Sequence, residues 1–193
     1  TPLHPNHQEN ISIAPYDETC AHPGTLVQLW TFLQQESFMQ YVWTNGKPLG
    51  LNAFIRYWAP ESGRLLFLPL YRAYWQPDTF ENMMGLLWVD HLELGHKASV
   101  HFVFRRKYWG KDRPFMAIQK ILPVLFAPPL DLQLIYGMVH VNNRMALALL
   151  RRIGATIACE VPLWFKHDDG QYGMKLGYLT RAQFEEAHHG SHQ

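Results

Sequence analysis

Apolar and polar positions alternate along residues 11–16, a short stretch that ends by a proline and predicts an opening strand. Pro23 and Gly24 break the chain. Leu26, Leu29, Trp30 and Leu33 then recur at helical spacing, Phe38, Tyr41 and Val42 continue a similar face in a second turn, and Asn45, Gly46 and Pro48 end it. Periodicity leaves residues 51–58 open between helix and strand. Residues 61–63 make a turn, and residues 64–74, rich in Leu, Phe and Tyr, read as a strand punctuated at 76–78. Residues 83–94 read as a further strand, Gly95, His96 and Lys97 as a tight turn, and residues 98–104 as a strand of aromatic and β-branched side chains. Strands joined by such short turns predict an antiparallel meander.

The pattern changes after residue 105. Phe115, Ile118, Gln119, Leu122 and Leu125 outline a helix, with Asp112 or Arg113 near its cap, Pro114 in its first turn, Pro123 kinking it late and Pro128 and Pro129 stopping it. Residues 132–141 are an almost unbroken apolar run, as in a strand buried on both faces. Asn142 or Asn143 caps a helix whose Met145, Leu149 and Ile153 share a face and which Gly154 ends. Residues 157–166 and 172–179 flank a His167-Asp168-Asp169-Gly170 turn, a hairpin signal. The order predicts one mixed α/β domain over residues 1–193, with residues 1–10 and 186–193 as polar, flexible tails.

Composition narrows the function classes. A chain of 193 residues, 48% hydrophobic, can bury one sizeable core. A formal net charge of +1 gives no whole-molecule pull toward nucleic acid or an anionic membrane. A nucleic-acid module would have to rest on residues 105–111 with Arg144, Arg151 and Arg152 alone. No run approaches the roughly 18 apolar residues of a membrane span. Two cysteines, Cys20 and Cys159, make no disulfide framework, and a cytoplasmic protein is the expectation. Cys159 reads as buried and inert, and most tryptophans as core. Of the histidines, His4, His7, His188, His189 and His192 fall in the tails, and the others form no metal-ligand spacing, so no metal is expected.

The segment Tyr108-Trp109-Gly110-Lys111 follows a strand and precedes a helix. Residues 137–146, Gly-Met-Val-His-Val-Asn-Asn-Arg-Met-Ala, come about thirty residues later, the scale of a βαβ unit, and Leu149-Leu150-Arg151-Arg152-Ile153-Gly154 follow. This resembles the GNAT superfamily of acyl-CoA-dependent N-acyltransferases, and within it the branch that acetylates ribosomal-protein amino termini. The resemblance covers roughly residues 83–180. It implies a central, mostly antiparallel sheet with one splayed parallel pair of strands, flanked by helices. It implies acetyl-CoA as co-substrate and transfer of its acetyl group to a primary amine on a small molecule or peptide, by a monomer or homodimer. By the same resemblance pantetheine lies between residues 100–105 and 134–141. Val103, Phe104 and Arg105 would line it, Trp109, Gly110, Lys111, Asp112 and Arg113 would face the pyrophosphate at a helix N-terminus, and Asn143 would touch the cofactor arm. The family loop carries Arg or Gln and two small residues where this chain has Trp109, Asp112 and Pro114. Its usual acid, a tyrosine, falls at Leu150, and its Phe after Leu-Gly at Ala155. Lys111 and Arg113 would offset the charge of Asp112. These departures motivate a second reading, a non-catalytic binding protein that keeps the fold.

Three residues are candidates for moving the proton of the amine. His101 lies on the strand that would present the thioester, and a histidine accepts a proton near neutral pH. It also reads as a strand-face histidine with a satisfied hydrogen bond. Asp90, His91 and Glu93 lie on the preceding strand, where Asp90 and Glu93 could lead water to the amine or simply be solvated. His140, at the end of the partner strand, reads as a loop histidine.

Overall fold

The computed structural model describes residues 10–16, 24–35, 50–58, 63–72, 82–167 and 170–189. Phe38, Tyr41, Val42, the turn signals at 45–48 and 76–78, and Asp168 and Asp169 lie outside the described residues. Strand β1 (Asn10–Pro15) is followed by α1 (Thr25–Gln35), α2 (Leu51–Tyr57), β2 (Leu65–Arg72), β3 (Gly85–Glu93) and β4 (Lys97–Phe104). A 3-10 turn at Arg106–Tyr108 leads to α3 (Arg113–Phe126), β5 (Leu134–His140), α4 (Arg144–Arg152), β6 (Thr156–His167), β7 (Gly170–Thr180) and α5 (Arg181–His189). The strands form one sheet in the order β1-β2-β3-β4-β5-β7-β6. All neighbours are antiparallel except β4 and β5. The mixed sheet with one parallel pair is the expected fold class.

Side chains alternate across each strand, so the sheet has two apolar faces and two cores. On one face Leu87 and Val89 of β3 and Ala98 and Phe104 of β4 pack on Ile118, Ile121, Leu122 and Leu125 of α3. On the other, Leu86 and Trp88 pack on Leu29, Phe32 and Leu33 of α1, on Phe54 of α2 and on Trp58 at its end. Residues 51–57 resolve as helix because Phe54 is buried in this second core.

Several expectations change for tertiary reasons. Strand β5 is only half-buried along most of its length, because it parts from β4 and lines a cleft. Met145 is exposed, and α4 instead buries Ala146, Leu147 and Leu149. Cys159 is exposed, since β6 is the edge of the sheet. Residues 186–189, expected in a flexible tail, belong to α5. That helix is anchored by Phe184 against Phe126 at 5.1 Å and by Arg181, which donates to the carbonyls of Leu132 and Phe126 and to Asp131. Pro123 sits inside α3, which continues to Phe126. No helix among the described residues is long and apolar enough to cross a membrane.

Candidate active site

Strands β3 and β4 are in continuous register from Gly85↔Phe104 to Asp90↔Ser99, which sets Trp88 opposite His101. Alternation puts Trp88, Asp90, Ser99 and His101 on the α1–α2 face together. His101 Nε2 lies 3.2 Å from Asp90 Oδ1 and 3.0 Å from Ser99 Oγ, and its ring stacks on Trp88 at 4.8 Å between centroids. An ionised carboxylate only accepts, so Nε2 is the donor to Asp90 and Nδ1 is the nitrogen left to take up or give a proton. Asp90 is buried. Burial penalises its charge, but the His101 hydrogen bond and the charges of His101, His91 and Arg64 outweigh that, so its carboxyl titrates below the usual aspartate value. The arrangement is a fixed carboxylate–imidazole pair with one basic nitrogen, as a general base requires.

Glu93 does not join it. The register of β3 slips between Asp90 and Glu93, with His91 at φ +48°, and this bulge breaks the alternation. Glu93 is exposed at the strand end, held by His96 at 3.0 Å and Lys97 at 3.1 Å. His140 accepts the Asn142 N–H on Nδ1 and tilts against Tyr172.

Beside the Asp90–His101 pair the sheet opens. Strands β4 and β5 pair only from Lys97↔Leu134 to Ser99↔Tyr136. At the next position a Cβ on Gly137 would lie 2.7 Å from the Val100 carbonyl oxygen, so glycine alone permits the close approach from which the strands diverge. The gap leads into a cleft of about 1300 Å³ lined by Asp90, Ser99 and His101 on one face and by Ile118, Ile121 and Leu122 on the other. Arg105 N–H donates to the Met84 carbonyl at 2.7 Å. Antiparallel bonding alternates, so Val103 and Arg105 turn their backbone groups toward β3, while Phe102 and Phe104 turn theirs toward the gap. Of the residues expected to line the cofactor, Val103 and Arg105 thus turn their backbone groups to β3 rather than to the gap. Phe104 does face the gap, but its carbonyl already accepts the Trp109 indole N–H at 3.0 Å, which leaves Phe102 as the strand residue best placed to pair with an extended ligand.

The β4–α3 loop is built differently from a glycine loop. Lys111 and Asp112 both adopt left-handed backbone, at φ +54° and +59°. Asp112 is the N-cap of α3 without a side-chain capping bond, and its carboxylate pairs with Arg152 at the end of α4. That hydrogen bond, more than its partial desolvation, sets its titration, below the usual aspartate value. Arg113 turns away: its guanidinium sits 4.5 Å over the Tyr71 ring. The cation paired with Asp112 is Arg152, from outside the loop. Asn143 caps α4, its Oδ1 accepting the Ala146 N–H at 3.0 Å. Gly110 and Lys111 lie in the same loop, next to Trp109.

Sequence reasoning missed three residues that line the cleft near the Asp90–His101 pair. Ser99 needs the register to reveal it. Tyr57 ends a helix that periodicity could not assign, and Arg64 precedes a strand by one residue; both line the cleft. The Tyr57 phenol is pushed up chiefly by burial, with the Asp90 charge adding and Arg64 opposing, so it stays protonated.

No protein-family model matches the sequence, and no curated protein matches it. Solved structures match its fold. A spermidine N-acetyltransferase from Vibrio cholerae, crystallised with CoA and spermine, superposes with a TM-score of 0.72 at 16% identity, covering 91% of this chain and 98% of that one. A provisionally assigned acetyltransferase of Acinetobacter baylyi ADP1 gives a TM-score of 0.69 at 8% identity, covering 90% and 93%. The chain has the fold of the GNAT acetyltransferases.

Proposed function

We propose that the protein transfers an acetyl group from acetyl-CoA to a primary amine. The observation that carries this reading is the placement of the Asp90–His101 pair beside the point where β4 and β5 part. Acetyl-CoA supplies the activated acyl group. Backbone groups of Phe102 hold its extended arm along β4, Lys111 and the α3 N-terminus face its phosphates, and Asn143 meets the arm from α4. A β4 N–H turned into the gap polarises the acyl carbonyl and stabilises the negative charge that grows on its oxygen. The amine nitrogen bonds to the acyl carbon as the carbon–sulfur bond breaks. One proton of the incoming ammonium leaves through His101 Nδ1, and the other ends on the departing thiolate. Asp90 holds the imidazole in the tautomer this needs and stabilises its charged form. The loop motif keeps its likeness to the branch that acetylates ribosomal-protein amino termini, so a peptide amino terminus and a small amine both belong among the acceptors to test.

Acetyl-CoA should raise the melting temperature in a concentration-dependent way, by about 2.7 kcal/mol of stability at a hundredfold excess over Kd. Thiol release in the presence of an amine should follow. A folded sample that shows no shift at millimolar acetyl-CoA overturns the reading. A second reading, a binding protein without turnover, draws on the left-handed Lys111–Asp112 pair, on Pro114 and on Leu150, which packs against Gly177 where a tyrosine acid would stand. A thermal shift without thiol release from any amine selects it.

A further inference from the structure

The sheet face that carries His101 runs on past the second core, and what lies there names a substrate class; the reasoning rests on the acetyl-transfer reading above. Asp90 is opposite Ser99, Ser99 is paired with Tyr136, and Tyr136 with Tyr178, so one row crosses β3, β4, β5 and β7. Paired positions share a face. The chain neighbours of these residues, Val89, Ala98, Ile135 and Leu179, lie in the α3 core, which turns the row to the opposite face. The apolar residues of the core under α1 and α2 all precede Arg105, so neither β5 nor β7 contributes to it. Tyr136, Met138 and Tyr178 are half-buried and line the cleft instead.

The proton-accepting pair restricts how an acceptor can lie. Trp88 covers one face of the His101 ring at 4.8 Å, and Trp88, Trp58 and Phe54 are all buried, so the β3 side of the imidazole is closed. An acceptor whose nitrogen meets His101 therefore extends the other way, over β5 and β7. Adjacent strands lie about 4.8 Å apart, so Tyr136 and Tyr178 floor roughly the first 10 Å of that path beyond Ser99. Charge narrows the choice further. Among the described residues that line the cleft, Asp90 is the one carboxylate, and it is engaged with His101. The part of the lining that β5 and β7 supply holds phenols, thioethers, aliphatic groups and the His140 imidazole, and no residue of fixed charge. A second ammonium on the acceptor would meet no carboxylate there, and a carboxylate would meet no lysine or arginine.

We propose that the acceptor is a primary monoamine with a flat, uncharged body, an arylalkylamine, whose ring rests on Tyr136 and Tyr178 while its nitrogen faces His101. A planar apolar group buries its area on such a floor and meets ring faces or edges there. Two rings side by side on one sheet face make a floor, not the cage of aromatic side chains that encloses a cation. Tyr178 is then a specificity-determining residue. It stands one strand further from Ser99 than Tyr136 does, so it meets the body of the acceptor and not the reacting nitrogen. The nitrogen forms the amide bond and loses its protons as described above, while the ring is unchanged.

The test compares phenethylamine with ethylamine, spermidine and alanine amide, each with acetyl-CoA and the full chain, by thiol release and product mass. Alanine amide mimics a peptide amino terminus. Phenethylamine should exceed each of the others by about tenfold or more in kcat/KM, the scale of one buried aromatic contact. In Tyr178→Ala its advantage over ethylamine should fall by about tenfold, carried by KM, whereas Tyr178→Phe keeps the ring and should retain it. Preference for spermidine or alanine amide, equal use of phenethylamine and ethylamine, or an advantage that survives Tyr178→Ala overturns the proposal. So does an acetyl-CoA thermal shift with none of these amines acetylated. Absence of that shift in the wild-type protein instead overturns the proposed function, so the two failures are told apart. The acetyl-CoA shift of Tyr178→Ala shows that the variant is folded, and the wild-type panel decides the substrate class without it.

Discussion

Asp90 and Asp112 each face a basic side chain, and the two pairs are held in opposite ways. Asp90 sits at the last position of β3 in continuous register with β4, with its side chain 12% exposed, its partner His101 is on the adjacent strand, and the imidazole is stacked on Trp88. Asp112 sits in a loop at left-handed φ with its side chain 61% exposed, and its partner Arg152 ends a helix. The first pair is fixed before any ligand arrives, and a proton-transfer group needs that preorganisation. The second can exchange partners at small cost, since exposed ion pairs are weak and screened. An entering phosphate could draw Arg152 away from Asp112. On the proposed reading the chemistry is set by sheet register, and the cofactor's entrance by a loop that adapts.

Breaking the first pair should have the largest effect. His101→Gln keeps size and some hydrogen bonding but has no basic nitrogen. Turnover should fall by about a hundredfold or more, within the usual range for a general base, while the acetyl-CoA thermal shift stays. The pH–rate limb assigned to the base should vanish with it. A variant that turns over normally across pH makes His101 structural. Asp90→Asn reads the same pair through stability. Because the folded-state carboxyl titrates below its usual value, its ionised form stabilises the fold above the usual aspartate range, and that contribution is lost as pH falls through the lowered value. Wild type should therefore exceed Asp90→Asn in melting temperature at neutral pH, and the gap should close in acid. A gap that stays unchanged from neutral pH into strong acid contradicts the assignment.

Loosening the second pair should do less, and in the other direction. Asp112→Gly removes a negative charge at a helix N-terminus, suits the left-handed backbone and releases Arg152. Acetyl-CoA should bind about two- to fivefold more tightly, and Arg152→Ala should weaken it by a similar factor. Isothermal titration of the two variants checks both signs. If Asp112→Gly lowers affinity, the loop does not meet the pyrophosphate.

Local pattern made the scaffold legible and left the site partly hidden. β3, β4, α3 and the Gly154 stop of α4, at φ +83°, are written in period, caps and breakers. Helix α5 is mostly polar and is held by Phe184 and Arg181, through contacts that no window of sequence contains. His101 and Asp90 were readable as chemistry on neighbouring strands. Their meeting, and the exclusion of Glu93, depended on the bulge at His91 and on a register that alternation alone does not supply. Arg64 and Tyr57 enter the site only because β2 and α2 pack where they do. The gap itself turns on Gly137 against the Val100 carbonyl, a contact between residues far apart in the chain.

The smallest effect concerns Asn143, which carries a structural and a proposed cofactor role in one side chain. Its Oδ1 accepts the Ala146 N–H, so it caps α4. Asn143→Ala should cost about 1 kcal/mol, and in a chain of this size that lowers the melting temperature by roughly 2–4 °C. This variant cannot separate the two roles, because a frayed α4 would disturb any neighbouring ligand. Asn143→Asp can. Aspartate caps a helix as well as asparagine and favours the positive end of its dipole, so stability should hold or rise. The substitution removes the amide N–H donors and adds a negative charge. If the side-chain amide donates to the cofactor arm, acetyl-CoA affinity should drop in Asn143→Asp while the melting temperature of the ligand-free protein does not. If both stay at wild-type values, Asn143 caps the helix and does nothing else.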